Sequence, residues 1–320
     1  MIDTIIIDGL AFALPMFIMA IGGIYSEKSG ITNLALEGMQ GFGAFTGALV
    51  SVLMMQHMDP NSQLPYYISF LAAAAGGMIF ALVHVILCIR FKANQVISGV
   101  VVNILAMALT SFLTKRINSG IFRQTSNKFV LGTSMRFTVP GISEIPVIGA
   151  VFKNIYPFEV LIAVVAVIMW FVMYKTSFGM HLRACGDNPH AADAAGINVN
   201  RVRTAAVVIS GGLSAIAGMS FAYSISANFS PDIYLGFGYL SIAALIFGNW
   251  SILPTLGAGL IFGFARSGGQ ALIQQLGMPS TYNDLVRTLP YILTMFLLIF
   301  FSKHNRAPRA LGEIYDKGKR

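Results

Sequence analysis

The sequence predicts an all-α polytopic membrane protein of about nine transmembrane helices, eight to ten, with an inverted repeat and broken helices. Three observations predict it. Of the 320 residues, 56% are hydrophobic and only 11% charged, where soluble domains carry roughly 25%. Mean hydropathy is +0.72. Apolar stretches recur from end to end, most near the ~20 residues that cross about 30 Å of hydrocarbon. So few charges cannot cover a water-facing surface of this size. That excludes an ordinary cytosolic enzyme and a disordered chain. The 32 glycines fit close helix contacts in lipid.

The stretches fall at about 4–24, 31–55, 65–89, 94–114, 157–174, 204–225, 236–249, 252–266 and 285–302. The first follows Asp3 rather than Lys or Arg, and no small-residue cleavage site follows it, so it does not read as a secretory signal. The second opens on the polar run Asn33-Leu-Ala-Leu-Glu37. Arg90 and Lys92 separate the third from the fourth. The loop 115–156 follows, and the polar segment 179–203 lies between the fifth and sixth. The pair 236–249 and 252–266 is short and interrupted by Asn249, Trp250, Ser251 and Pro254. It reads as two short or broken helices or a re-entrant element, allowed only where protein or a wet cavity satisfies the backbone. The whole, 1–320, is one transmembrane domain.

Loop charges give the orientation. The tail carries Lys303, Arg306, Arg309, Lys317, Lys319 and Arg320, and 175–203 carries Lys175, Arg183, Arg201 and Arg203. Both belong inside. The turns 56–64 and 226–235 hold no Lys or Arg and belong outside. This puts the N-terminus outside and the C-terminus inside. The loop 115–156 is then external, although it carries Lys115, Arg116, Arg123, Lys128, Arg136 and Lys153. The net charge of +8 reads as cationic inner loops touching anionic membrane lipid. No basic stripe interleaves with stacking aromatics, so nucleic acid is not expected.

A faint repeat is present. Ala20-Ile-Gly-Gly-Ile-Tyr-Ser26 is similar to Ala217-Gly-Met-Ser-Phe-Ala-Tyr-Ser224. After each, a polar turn leads into a Gly- and Phe-containing helix, Gly38 to Ala44 and Gly236 to Ala244. One turn is expected inside and the other outside, the signature of an inverted repeat with a midplane path.

Catalytic motifs are missing. There is no phosphate-binding G-x-x-x-x-G-K-[ST], no H-E-x-x-H and no G-x-S-x-G. The five His are scattered, and Cys88 and Cys185 read as free thiols. No catalytic residue, metal or cofactor is expected, and any ATP would be bound by a partner subunit.

Polar residues inside the spans are costly and usually face a partner or a pathway. Asn33 and Glu37 share a helix face at i and i+4. Two readings of Glu37 stay open: a pathway group, or a structural carboxylate bonded to amides of a neighbouring broken helix. Asn103 offers a donor and an acceptor to a base or ribose, or an interhelical bond. Gln40, Gln95 and Ser98 are further pathway candidates. Phe42, Phe45 and Phe237 stack on a base or fill the core. Asp8, His84 and Arg266 lie close enough to span ends to be solvated or snorkelling.

The run Gly179 to Arg201 contains a capped short helix. Asn188 suits the N-cap, Pro189 the first turn and Gly196 the left-handed C′ position. The alternative is an ordinary structured loop. This stretch resembles the cytoplasmic coupling segment of bacterial ABC-importer permeases of the branched-chain amino acid and ribose-type superfamily. Ser26 to Gly43, with its Asn-x-x-x-Glu-Gly core, resembles the nucleoside branch that works with basic-membrane-protein-type binding lipoproteins. Lys92 to Asn103 and Ala307 to Gly312 are further matches, and the resemblance covers nearly the whole chain.

The resemblance implies a permease in the bacterial cytoplasmic membrane, paired with a second related permease chain as a heterodimer. A cytoplasmic ATPase with two nucleotide-binding domains would dock on Asp187, Asn188, Pro189, Ala191, Ala192, Ala195 and Gly196. An extracellular substrate-binding lipoprotein would deliver nucleosides, and transport would proceed by alternating access. Two alternatives are a ribose- or galactose-type sugar permease and an ion-coupled secondary transporter using Glu37.

Overall fold

The computed structural model describes residues 2–59, 62–132, 135–301 and 306–318. These form helices α1 (Ile2–Lys28), α2 (Leu36–Met55), α3 (Leu64–Val85), α4 (Gln95–Ile117), α5 (Pro157–Lys175), α6 (Ser177–Asp187), α7 (Pro189–Ala194), α8 (Val199–Phe221), α9 (Phe237–Phe247), α10 (Ile252–Gln275) and α11 (Asn283–Phe301). Single π-helical turns extend α3 to Arg90, α4 to Phe122 and α8 to Ser226.

Each predicted apolar stretch contains a helix, although residues 31–35 of the second form a turn instead and residue 302 lies outside the described residues. Among the described residues, six helices are long and apolar enough to cross a membrane: α1, α2, α5, and α3, α4 and α8 with their π turns. The remaining three differ in kind. α9 has 11 residues, about 16 Å by helical rise, which is roughly half a bilayer. α10 runs unbroken to Gln275, well beyond the predicted end at 266, but its apolar pattern is interrupted by Arg266 and the glutamines near its end. α11 contains Pro290.

α8 is the central helix, packed by α1, α2 and α3, while α1 also packs on α10. Small residues permit these crossings. A Cβ on Gly211 would stand 2.5 Å from the Gly77 carbonyl oxygen, and one on Gly22 would stand 2.9 Å from that of Ser210. The outer surface carries many large apolar side chains, Leu71 and Leu253 among them at 72% and 74% exposed. Such a surface is stable against lipid or a neighbouring membrane chain, not water.

The two ends of the bundle are built differently. At one, β1 (Phe129–Val130) pairs antiparallel with β2 (Asn228–Phe229), Phe129 opposite Phe229. This ties the loop 115–156 to the turn 226–235. Lys153 also meets Asp3, at the start of α1, at 2.7 Å. At the other end lie α6, α7 and the 29–35 turn. The tail 306–318 folds across them: Arg306 N donates to Asn249 Oδ1 at 2.7 Å, Ala310 N to Gly186 O at 2.8 Å and Gly312 N to Gly30 O at 3.1 Å. Tyr315 is buried beside Cys185, Ala192 and Val199. Lys303, Lys319 and Arg320 of the predicted cationic tail lie outside the described residues.

Candidate translocation site

The site begins with the turn between α1 and α2. Gly30, at φ +95°, reverses the chain. Asn33 Oδ1 accepts from Ala35 N at 3.1 Å, and Asn33 Nδ2 donates to Ser210 Oγ at 3.0 Å. Ser210 lies near the midpoint of the 28-residue run Val199–Ser226, so α2 starts inside the helix layer. The turn is scaffolded from α3 and α4. Thr32 N donates to Gln95 Oε1 at 2.7 Å, while the His84 ring bridges Ser98 Oγ at 2.9 Å and Thr32 O at 3.2 Å. His84 is fully buried, so the expectation of a solvated or snorkelling ring is corrected; its two ring nitrogens are occupied by structure. Asp8, in contrast, is exposed.

Two helix N-termini meet at this point, and each is capped from another element. The first-turn amide of α2, Gly38 N, donates to Asn103 Oδ1 at 2.8 Å, while Asn103 Nδ2 donates to Leu34 O at 2.8 Å and to the Tyr239 hydroxyl at 3.3 Å. The amide of Gly236, which precedes α9, donates to Glu37 Oε2 at 2.8 Å. Gly236 has φ +92°, a conformation a side chain resists. Gly238 allows α9 to approach, since a Cβ there would stand 2.6 Å from Glu37 Cβ. A carboxylate at a helix N-terminus satisfies an otherwise orphaned amide and complements the helix dipole.

Glu37 and Asn103 also line one cleft, of about 190 Å³, with Gly41, Val100, Met107, Tyr234 and Tyr239. The two readings of Glu37 are therefore compatible in space: it caps α9 and borders an opening. The other four candidates are not brought there. Asn33, Gln95 and Ser98 hold the turn, as described. Gln40 is fully buried, and neither its Oε1 nor its Nε2 finds a partner among the described residues. Phe42 stacks on Phe80 at 4.4 Å, and Phe45 packs on Phe129 and Phe229. Both are core contacts.

Three groups escaped the sequence reading. Glu27 is 4% exposed and accepts from Trp250 Nε1 at 2.5 Å, a second carboxylate held inside the fold besides Glu37. Arg203, taken as a loop cation, is 2% exposed, with Nε donating to Ser29 O at 3.0 Å and Nη1 to Glu313 O at 3.1 Å. Tyr239 has no polar neighbour in sequence that would mark it.

At the end of the bundle that also holds α6 and the tail, α7 has the predicted caps. Asn188 Oδ1 accepts from Ala191 N at 3.0 Å, and Gly196 has φ +84°. Asp187, Asn188, Ala191, Ala195 and Gly196 are exposed, but Pro189 and Ala192 are buried. Ala192 therefore seats the helix on its own chain and does not face outward. Burial pushes the Cys185 thiol, in the same cluster, above its ordinary pKa.

Six long apolar helices and a lipid-compatible outer surface make this an integral, multi-pass membrane protein, with a half-open cleft between two capped helix starts. The chain belongs to the branched-chain amino acid transport system permease-component family, whose model matches residues 5–300. It is 37% identical to the guanosine ABC transporter permease protein NupQ of Bacillus subtilis, over 97% of this chain and 96% of that one. It is 34% identical to the nucleoside ABC transporter permease protein NupC of Lactococcus lactis, over 99% and 98%. A second Bacillus subtilis protein, the guanosine ABC transporter permease protein NupP, is 23% identical over 95% and 82%.

Proposed function

We propose that this chain is the nucleoside-translocating permease subunit of an ATP-driven importer in the bacterial cytoplasmic membrane. The observation that carries the reading is the Glu37–Asn103–Tyr239 cleft. Its walls are apolar, its polar groups donate and accept hydrogen bonds, and no Lys or Arg lines it. That chemistry suits a neutral sugar-linked base. The names of the relatives in Bacillus and Lactococcus support the same cargo.

The finer architecture follows the charge rule: nine membrane segments, N-terminus outside and C-terminus inside. The pairing of α1–turn–α2 with α8–turn–α9 supports an inverted repeat, since α2 and α9 both start beside Glu37. A second permease chain completes the path, a pairing supported by the two guanosine permeases of one Bacillus. A cytoplasmic ATPase with two nucleotide-binding domains docks on the exposed face of α7, and a binding lipoprotein docks on the end that carries β1 and β2. ATP stays on the partner, and this chain supplies motion and path without catalysis. The ion-coupled alternative is not favoured, because the relatives that match nearly the whole chain are ABC transporter permeases.

The test is uptake of labelled guanosine or uridine by vesicles holding the whole complex. Uptake should require ATP inside, persist with an uncoupler and exclude the matching monophosphates. Uptake that follows the proton gradient instead of ATP overturns the proposal, and saturable ribose uptake without nucleoside uptake overturns the cargo.

A further inference from the structure

Across the 231–237 segment from the Glu37–Asn103 cleft lies a second cavity, of about 300 Å³, bordered by Phe12, Asp232, Phe237, Arg266, Arg287 and Tyr291. This volume reaches the lower end of the range that holds small molecules. Leu235 lines both cavities, so one stretch of chain separates them. The bond from Gly236 N to Glu37 pins that wall.

Arg266 is the unusual group here. It lies beyond the middle of α10, against Phe12 of α1 and Phe237 of α9. Its guanidinium carbon stands 4.1 Å from the Phe12 ring centroid and 5.3 Å from that of Phe237. Among the described residues no hydrogen bond or ion pair engages it. The acid on the cavity wall, Asp232, accepts from Ser230 Oγ at 3.0 Å. An arginine in a membrane helix is costly, and such residues mark partners or pathways. Stacking on rings occupies the face of a guanidinium and leaves its in-plane N–H fork for acceptors. The fork matches the paired oxygen and ring-nitrogen acceptors on the edge of a 6-oxopurine.

We propose that this cavity is an outer substrate subsite, in which Arg266 donates to the 6-oxygen and N7 of a purine nucleoside while Phe12 and Phe237 hold the guanidinium in place. The proposal rests on the permease reading above. It adds a specificity residue on the outer side of the wall that Glu37 holds.

The experiment compares inosine with purine riboside, which has the same sugar and ring system but no 6-oxygen. Both are measured in vesicles with the intact complex. Arg266→Gln should raise KM for inosine at least tenfold, with a smaller change in maximal rate, and leave purine riboside within twofold. Arg266→Lys keeps the charge without the fork and should fall between. Basal ATP hydrolysis and assembly with the ATPase should be unchanged. If Arg266→Gln does not insert, Phe12→Leu carries the same comparison, with inosine again the selective loser. Equal loss for both nucleosides assigns Arg266 a packing role and overturns the proposal. Competition by inosine monophosphate that depends on Arg266 makes the cavity a phosphate site and also overturns it. A wild-type complex that moves neither nucleoside defeats the permease reading itself, a result distinct from the other two.

Discussion

The carboxylate of Glu37 and the amide of Asn103 each reach the first turn of a helix they do not belong to. Each was legible in the sequence because a charge or an amide inside an apolar run is rare enough to demand a partner. Which partner was not legible, since Gly236 is 199 residues away from Glu37. The same distance hid Glu27, whose Trp250 partner is 223 residues along the chain, and Arg203, whose Ser29 partner is 174 residues back. Charges next to turns look solvated until the fold brings their hydrogen-bond partners. The capping geometry makes a graded prediction. Glu37→Gln keeps one acceptor for the Gly236 amide and should retain partial ATP-dependent uptake. Glu37→Ala leaves that amide unpaired, a loss of about 1–3 kcal/mol, and should abolish most uptake. Equal activity of Gln and wild type, with Ala unimpaired as well, would remove Glu37 from the site.

Among the elements, α7 was the most readable, because Asn188, Pro189 and Gly196 are start and stop signals whose physics is local. Its orientation was not readable from six residues. Packing decides that, and Ala192 turns out to face Cys185, Val199 and Tyr315. The two faces should therefore fail differently. Ala195→Glu, on the exposed face, should insert normally and keep α7 in place but lose co-purification with the ATPase. Ala192→Glu would bury a charge in an apolar cluster and should lower the amount of folded protein. Normal ATPase binding by Ala195→Glu would show that α7 is not the docking element. The extension of α10 to Gln275 was missed for a related reason: polar residues late in the helix ended the apolar pattern without ending the helix.

For the whole molecule, composition and loop charge give a bilayer protein and one orientation, with the loop 115–156 as the discordant piece. The strand pair resolves part of that conflict. Phe129 lies opposite Phe229, so the cation-bearing loop shares an end with a turn that has no Lys or Arg. Long segments follow the charge rule weakly because they translocate as units. In the proposed orientation, a single Cys probe at Asn228 should react with an impermeant reagent on intact cells. Probes at Asp193 and Lys317 should react only after permeabilisation. Reaction of residue 193 in intact cells would invert the molecule.

The tail across α6 and the 29–35 turn also fixes an order of events during synthesis. Residues 306–318 leave the ribosome after α1–α11 have been made. Until then Arg203 has the Ser29 carbonyl but not that of Glu313, and Cys185 lacks the ring of Tyr315 above it. The end of the bundle that holds α6 and α7 is thus incomplete in a nascent chain until this segment emerges and docks. A chain stopped after Arg309 should insert with the same helices yet be cleared by membrane proteases faster than the full chain. Its Cys185, relieved of the burial that holds the thiol protonated, should alkylate faster at neutral pH. Equal lifetimes and equal alkylation rates for the two chains would show that the bundle is finished without its tail.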